Sequence, residues 1–399
     1  MRILHTADWH LGREFHGADL GEAHEAFFDW LATQITEREV DLVLMAGDIF
    51  DRAVPPTAAV ELLNRTLSRL ADLAPTILIA GNHDSTVRMG HGQLLRDNLH
   101  LRSGTTGVGE PVLFEAGHFA GAGFSLAVYP IPYLDPVASA EKLGAPEKTH
   151  QSVLDAATAI CRDDLAERPE GTRSIVISHA FVAGGAISDS ERGIAVGRTL
   201  DGVVGGAGQV GAGTFDGFDY VALGHLHRPQ RMDSQEEVPR VRYSGSPLYL
   251  SFSEVGADKS VNLVELAADG SITVDPVTIP SSFRVSRVRA ELAELLEDDR
   301  YLEYADDWLE VTLTDRKRPD RPMDRLASRF SRVLSLQYSD LDREAPGAEA
   351  RRLAGIMRKD PLALVSEFVE HVRGEGPDED ETALLREAVS SNAGSETSA

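Results

Sequence analysis

Short, continuously apolar runs alternate with longer amphipathic ones through the first half of this chain, and that alternation constrains the fold more than any other feature. Residues 2–5, 41–46 and 76–80 have the length and composition of strands. Between them, residues 22–38 space Phe27, Phe28, Leu31 and Ile35 along one face of a helix, and residues 57–73 predict a second helix. Further strand-like runs fall at 125–129, 174–178, 220–223 and 261–266, with a helix over 151–165. Strands that are apolar throughout are buried on both faces, so the expected fold class is a layered α/β core with its sheet covered on both sides. Residues 184–213 are polar and glycine-rich and read as one long loop, a length that is uncommon unless it serves function.

The pattern changes after Pro280-Ser281-Ser282. Strands at 283–288, 308–314 and 334–338 alternate with helices at 290–296 and 323–333, which predicts a small α/β domain over about 282–345 after a first domain of 1–281. Helical spacing then runs through 346–390 and leaves an apolar stripe of Leu362, Val365, Phe368, Val369, Leu384, Leu385 and Val389, suited to pack on its own domain or to dock a partner's helices. Residues 391–399 are small and polar and expected to be disordered. At about 100–200 residues per domain, the 399-residue length fits two or three domains. No run approaches the roughly 18 apolar residues of a membrane span, and the N-terminus turns polar too soon for a signal peptide. A single cysteine, Cys161, excludes internal disulfides and a cysteine-based zinc cluster. These features predict a soluble cytoplasmic protein. With 64 Asp and Glu against 39 Lys and Arg, the net charge of −25 repels nucleic acid unless bound metal ions or a partner subunit supply positive charge.

The strands of the first domain end in Asp, His or Asn, usually beside glycine. Asp8 and His10 follow the first, Asp48 the second, and Asn82, His83 and Asp84 the third. His179 ends the run at 174–178, and His225 and His227 follow the run at 220–223. Ligands of layered α/β folds bind at the carboxyl ends of strands, so separate strands deliver these side chains to one edge. Oxygen and imidazole without thiolate suit Mn²⁺, Fe²⁺ or Zn²⁺. Seven candidate ligands, Asp8, His10, Asp48, Asn82, His179, His225 and His227, are too many for one ion and suit two. Paired ions about 3.5–4 Å apart clamp a phosphoryl group during hydrolysis, which points to a phosphoesterase.

The motifs Asp8-x-His10, Gly47-Asp48-x-x-Asp51, Gly81-Asn82-His83-Asp84, the lone His179 and Gly224-His225-x-His227, in that order, resemble the calcineurin-like metallophosphoesterases. Within them the chain is similar to the SbcD family of bacterial break-repair nuclease subunits. The segments carrying that likeness include residues 1–12, 80–85, Tyr129-Pro130-Ile131-Pro132, 222–228 and 241–247. The resemblance implies that Asp8, His10, Asp48 and His227 hold a first ion and Asp48, Asn82, His179 and His225 a second, with manganese preferred and Asp48 bridging. It makes His83 the catalytic histidine and Asp84 its orienting partner. It also implies a 3′→5′ double-strand exonuclease and a single-strand or hairpin endonuclease in DNA break repair, replication and recombination. The implied partner is SbcC-like, an ABC-type ATPase that docks on the helical segment, with two copies of each chain beside the nucleoid. Archaeal and eukaryotic relatives tend to carry His at the position of Asp51, a difference that concerns DNA positioning. Arg13, Arg52 and Arg88 lie near motif loops and are candidates for phosphate contacts. His5, within the first strand, is expected to be a core residue or a support behind the ligands rather than a ligand, and Trp9 a packing group. The motifs alone leave open a small-molecule or cyclic-nucleotide phosphodiesterase, or a scaffold that needs metal only to fold.

Overall fold

A computed structural model describes residues 1–90, 97–191, 208–232, 240–339, 377–378, 381–382 and 384–385. It divides into two compact units, Met1–Val311 with Arg321–Leu336, and Thr312–Asp320 with the residues from Gln337 onward. Of the apolar stripe predicted for the helical segment, Leu362, Val365, Phe368, Val369 and Val389 lie outside the described residues, whereas Leu384 is exposed and Leu385 half-buried. Among the described residues no helix is long and apolar enough to cross a membrane.

The first unit is built on two six-stranded sheets rather than one. In the first sheet, Arg2–Thr6, Leu42–Ala46, Thr76–Ile79 and Leu99–Arg102 run parallel, and Ser260–Leu266 and Ile272–Thr278 extend it antiparallel beside Arg2–Thr6. In the second, Leu126–Ile131, Arg173–His179, Tyr220–Gly224 and Val241–Tyr243 are parallel, with Val112–Phe114 and Gln230–Arg231 antiparallel at the edges. Alternation along the strands explains the layering. Leu42, Leu44 and Ala46 point into an inter-sheet core with Val128, Ile175, Ile177 and Ala222. Val43 and Met45 point the other way, onto Phe27, Phe28, Leu31, Leu63, Leu67 and Leu70 of the helices Gly21–Glu37 and Thr57–Leu73. The outer face of the second sheet is covered by His150–Ala166, through Val153, Leu154, Ala157 and Cys161. Each sheet is therefore covered by helices on one side and by its partner sheet on the other, which is why its central strands are apolar on both faces.

His5 pins the two sheets together. Its ring lies between the Tyr220 hydroxyl at 2.9 Å and the Leu223 carbonyl at 3.1 Å, and burial pushes its pKa down to about 3, so it serves as a neutral core residue. Trp9 is fully buried against Phe27 and Phe28. The strand Ile272–Thr278 escapes the sequence reading because it is an edge: its outer residues are exposed and Pro276 sits in it, which an edge strand tolerates.

Downstream, Val285–Ala290, Trp308–Leu313 and Arg332–Tyr338 form a three-stranded sheet. Phe283 stacks on Trp308 at 4.1 Å, and both rings reach Phe15 of the core. The helix expected over 323–333 is a correction: only Pro322–Leu326 is helical, and a strand has begun by Arg332. Leu326 and Phe330 are both buried, and the Phe330 amide donates to the Leu326 carbonyl at 2.8 Å. One isolated turn thus reproduced the apolar spacing of a longer helix.

Candidate metal centre

The candidate residues sit where strands of both sheets end. Asp8 and His10 follow Arg2–Thr6, Asp48 follows Leu42–Ala46, and Asn82, His83 and Asp84 follow Thr76–Ile79. From the second sheet, His179 is the last residue of Arg173–His179, and His225 and His227 follow Tyr220–Gly224. The loops brace one another through the backbone, with Asp8 N donating to Gly47 O and His10 N to Asp48 O, both at 3.0 Å. Asp8, His10, Asp48 and His225 all have left-handed backbone (φ 54°, 47°, 50° and 111°), a conformation that costs on the order of 1–3 kcal/mol each and persists only where the surroundings enforce it. Gly81 lets the third loop approach so closely that a Cβ there would overlap the Asp48 carboxylate.

Three overlapping triplets result: Asp8 with His10 and His227, His10 with Asp48 and His83, and Asp48 with His179 and His225, the ligand atoms of each lying within 4.8 Å of one another. All seven residues are buried, and Asn82 is half-buried with its Oδ1 2.9 Å from His179 Nε2. The Nε2 atoms of His10 and His227 lie 3.1 Å apart, and Asp48 Oδ2 stands 3.6 Å from His10 Nε2 and 3.5 Å from His179 Nε2.

Burial and mutual contact shift the charge states within this cluster. Burial holds His10 and His225 well below the usual imidazole range, and Nδ1 of each is buried without a hydrogen-bond partner. Burial raises the Asp8 carboxyl well above its ordinary value. Burial alone would also raise Asp48, but His179 and the neighbouring rings bring it well below the carboxylate range. His179 is the counterpart: burial lowers it, yet the Asp48 and Asp8 carboxylates win and hold it at about 9. Two buried carboxyl groups and the four imidazole rings of His10, His179, His225 and His227 that face the same space, with no thiolate among them, are the donor set of a divalent-cation site.

His83 and Asp84 divide differently than the sequence suggests. His83 Nδ1 donates to the Asp51 carbonyl at 2.6 Å, and its Nε2 faces Asp48 Oδ2 at 3.9 Å. Asp84 is a correction as the orienting partner of that ring: its carboxylate accepts the amides of Ile49 (3.0 Å), Phe50 (2.9 Å) and Gly81 (2.9 Å). Adjacent residues in the loop point apart, so Asp84 ties two motif loops together while the backbone of Asp51 orients His83. Burial, with Asp48 beside it, raises Asp84 to about 6, against the pull of those three amides.

Of the other candidates, Arg13 is mostly buried in an ion pair with Asp51 at 3.0 Å, whereas Arg52 and Arg88 are exposed. Sequence reasoning missed a buried group behind His227: Ser190, Glu191, Glu254 and Lys259. Ser190 and Glu191 fell inside the stretch read as an undifferentiated loop. Glu254 and Lys259 carried one usable signal, charged residues five apart leading into an apolar strand.

A family model for calcineurin-like phosphoesterases matches residues 1–229, and the SbcD_C model, described as the type 5 capsule protein repressor C-terminal domain, matches residues 284–389. Among solved structures the chain is similar to TT1561 of Thermus thermophilus, at 11% identity over 69% of this chain and 98% of that one, with a TM-score of 0.37. It is also similar to GAP50, the anchor in the inner membrane complex of Plasmodium, at 13% identity over 71% and 87% of the two chains, with a TM-score of 0.41. Apolar strands that end in Asp and His around a buried divalent-cation site, together with a family match over more than half its length, place the chain among the calcineurin-like phosphoesterases. Its second match makes it SbcD-like, a metal-dependent phosphodiester hydrolase of the nuclease type that serves DNA repair.

Proposed function

We propose that the chain cleaves DNA at a two-ion manganese centre. Asp8, His10, Asp48 and His227 hold one ion, Asp48, Asn82, His179 and His225 the other, and Asp48 bridges them. The observation that carries this reading is the set of overlapping triplets in which Asp48 and His10 are shared. Divalent ions held there supply charge that polarises a phosphoryl oxygen and lowers the pKa of a water.

The protein's own groups do the rest. His83, its Nδ1–H held by the Asp51 carbonyl, presents Nε2 to the pocket, where it holds or gives a proton at the leaving oxygen. Asp84 keeps the two loops that carry Asp48 and His83 in register. The exposed Arg52 and Arg88 meet DNA phosphates, and Arg13 fixes Asp51 beside them.

The activities are 3′→5′ exonuclease on double-strand ends and endonuclease on hairpins and single strands, on the nucleoid. The working form pairs two copies with two of an SbcC-like ABC-type ATPase. Two facts support a partner: the SbcD_C match over 284–389, and a net charge of −25 that disfavours DNA without added cations. In this reading residues 1–281 are the nuclease domain, 282–345 an α/β cap, 346–390 the partner-docking segment and 391–399 a tail.

The test is cleavage of a 3′-labelled linear duplex and of a hairpin, with Mn²⁺, Mg²⁺ or EDTA, by the chain with and without the ATPase. Products that require Mn²⁺ and vanish in His83→Ala support the proposal. No DNA cleavage even with the ATPase, alongside turnover of bis-p-nitrophenyl phosphate, would reassign the site to small phosphodiesters.

A further inference from the structure

Behind His227, on the side away from the pocket, lies a buried charged pair outside the proposed mechanism. Glu254 ends the turn Phe252–Glu254, and Lys259 immediately precedes the strand Ser260–Leu266. Their side chains are 0% and 3% exposed and meet at 2.5 Å. Such a pair is tolerated only when its remaining hydrogen-bonding capacity is met, and here it is. Lys259 Nζ also donates to the His227 carbonyl at 3.0 Å and to Ser246 Oγ at 2.8 Å, which uses all three ammonium protons. Glu254 Oε2 accepts from Lys259 and from the Leu250 amide, and Oε1 from the hydroxyls of Ser190 at 2.5 Å and Ser251 at 3.1 Å.

Donor accounting fixes the direction of the next bond. Ser190 Oγ lies 2.6 Å from His227 Nδ1. An ionised carboxylate only accepts, so Ser190 commits its single proton to Glu254, accepts from the Ser188 hydroxyl 2.7 Å away, and has only a lone pair left for the ring. His227 Nδ1 must therefore carry a hydrogen. In a neutral imidazole that leaves the lone pair on Nε2, the atom 3.1 Å from His10 Nε2 in the pocket. The backbone of His227 is clamped as well, its N–H by Glu191 Oε1 at 2.8 Å and its carbonyl by Lys259.

We propose that Ser190 and Glu254, with Lys259 as fixed counter-charge, are positioning residues that hold His227 as the Nδ1–H tautomer with Nε2 turned into the site. This rests on the reading of the site as a divalent-ion centre. A ligand whose tautomer and rotation are set beforehand needs no reorganisation when an ion arrives, and loss of such outer partners typically weakens metal binding about 10–100-fold.

Ser190→Ala removes the hydroxyl link and leaves the Glu254–Lys259 pair intact. Titrating Mn²⁺ into the metal-free full chain should show affinity reduced about 10–100-fold, while the metal-free melting curve stays close to wild type. Long-range ¹H–¹⁵N spectra of the metal-free protein, with His227 assigned by its loss in His227→Gln, should show one Nδ1–H tautomer in wild type and a mixture in Ser190→Ala. Ser190→Thr, which keeps the hydroxyl, should restore both readouts. Wild-type Mn²⁺ affinity in Ser190→Ala, or an Nε2–H ring in the wild type, would overturn the relay. A wild-type chain that binds no Mn²⁺ overturns the ion-centre reading instead, and the tautomer spectrum separates the two failures.

Discussion

Asp48 joins most of the site in one side chain. Its Oδ1 accepts the His83 amide at 2.9 Å, and its Oδ2 faces the rings of His10, His83 and His179. Removing it takes away the one carboxylate shared between the proposed ion positions, so Asp48→Ala should lose both ions, read as metal content after desalting from Mn²⁺. Retention of two equivalents would rule out bridging. His83 is different in kind, because its Nδ1 is committed to the Asp51 carbonyl and its role lies at the leaving group. His83→Ala should keep wild-type metal content while cleavage falls by about two orders of magnitude or more, the usual scale for a lost general acid. Equal loss of metal and activity would make His83 a ligand rather than a proton donor.

At the scale of elements, the loops after strands matter more than the strands themselves. Asp84 satisfies three buried amides from two of these loops, and Asp84→Ala leaves them without that partner. Leaving buried donors unsatisfied should cost about 3 kcal/mol in chemical denaturation, well beyond an ordinary surface substitution. A loss under about 1 kcal/mol would mean that water replaces the carboxylate without strain. The helix His150–Ala166 offers a separate probe in Cys161, which is fully buried against the second sheet. Burial pushes this thiol up from its ordinary 9.0 to about 12, so almost no thiolate exists in the folded chain at pH 8. Iodoacetamide should modify Cys161 only on unfolding. Because the unfolded thiol ionises above about pH 9 and the folded one does not, this group also subtracts stability as pH rises from 9 towards 12. Rapid labelling of native protein at pH 8 would contradict the packing.

For the whole molecule, the balance of 64 acidic against 39 basic residues governs association rather than fold. The metal-free chain alone should bind duplex DNA weakly, and Mn²⁺ or an SbcC-like partner should raise affinity, with strong salt dependence in fluorescence anisotropy. Tight metal-independent binding by the isolated chain would require a basic surface that outweighs the total. Much of this protein is legible in its sequence, because strand and helix periods are local properties and the motif residues stand directly after the strands that carry them. Gly47-Asp48, Gly81-Asn82-His83-Asp84 and Gly224-His225 can therefore be read as one constellation from order and spacing. The number of sheets is not legible, since a strand covered by helices and a second sheet has the same apolar composition as one covered by helices alone. Nor are directions within a loop: His83 and Asp84 are neighbours in sequence, yet one turns to the Asp51 carbonyl and the other to the amides of Ile49, Phe50 and Gly81. Short-range pattern is enough to say which chemistry-bearing residues arrive at the strand ends. Which atoms they meet there, including the links from Ser190 to His227 and to Glu254, is settled by tertiary packing, because those contacts join residues 37 and 64 positions apart.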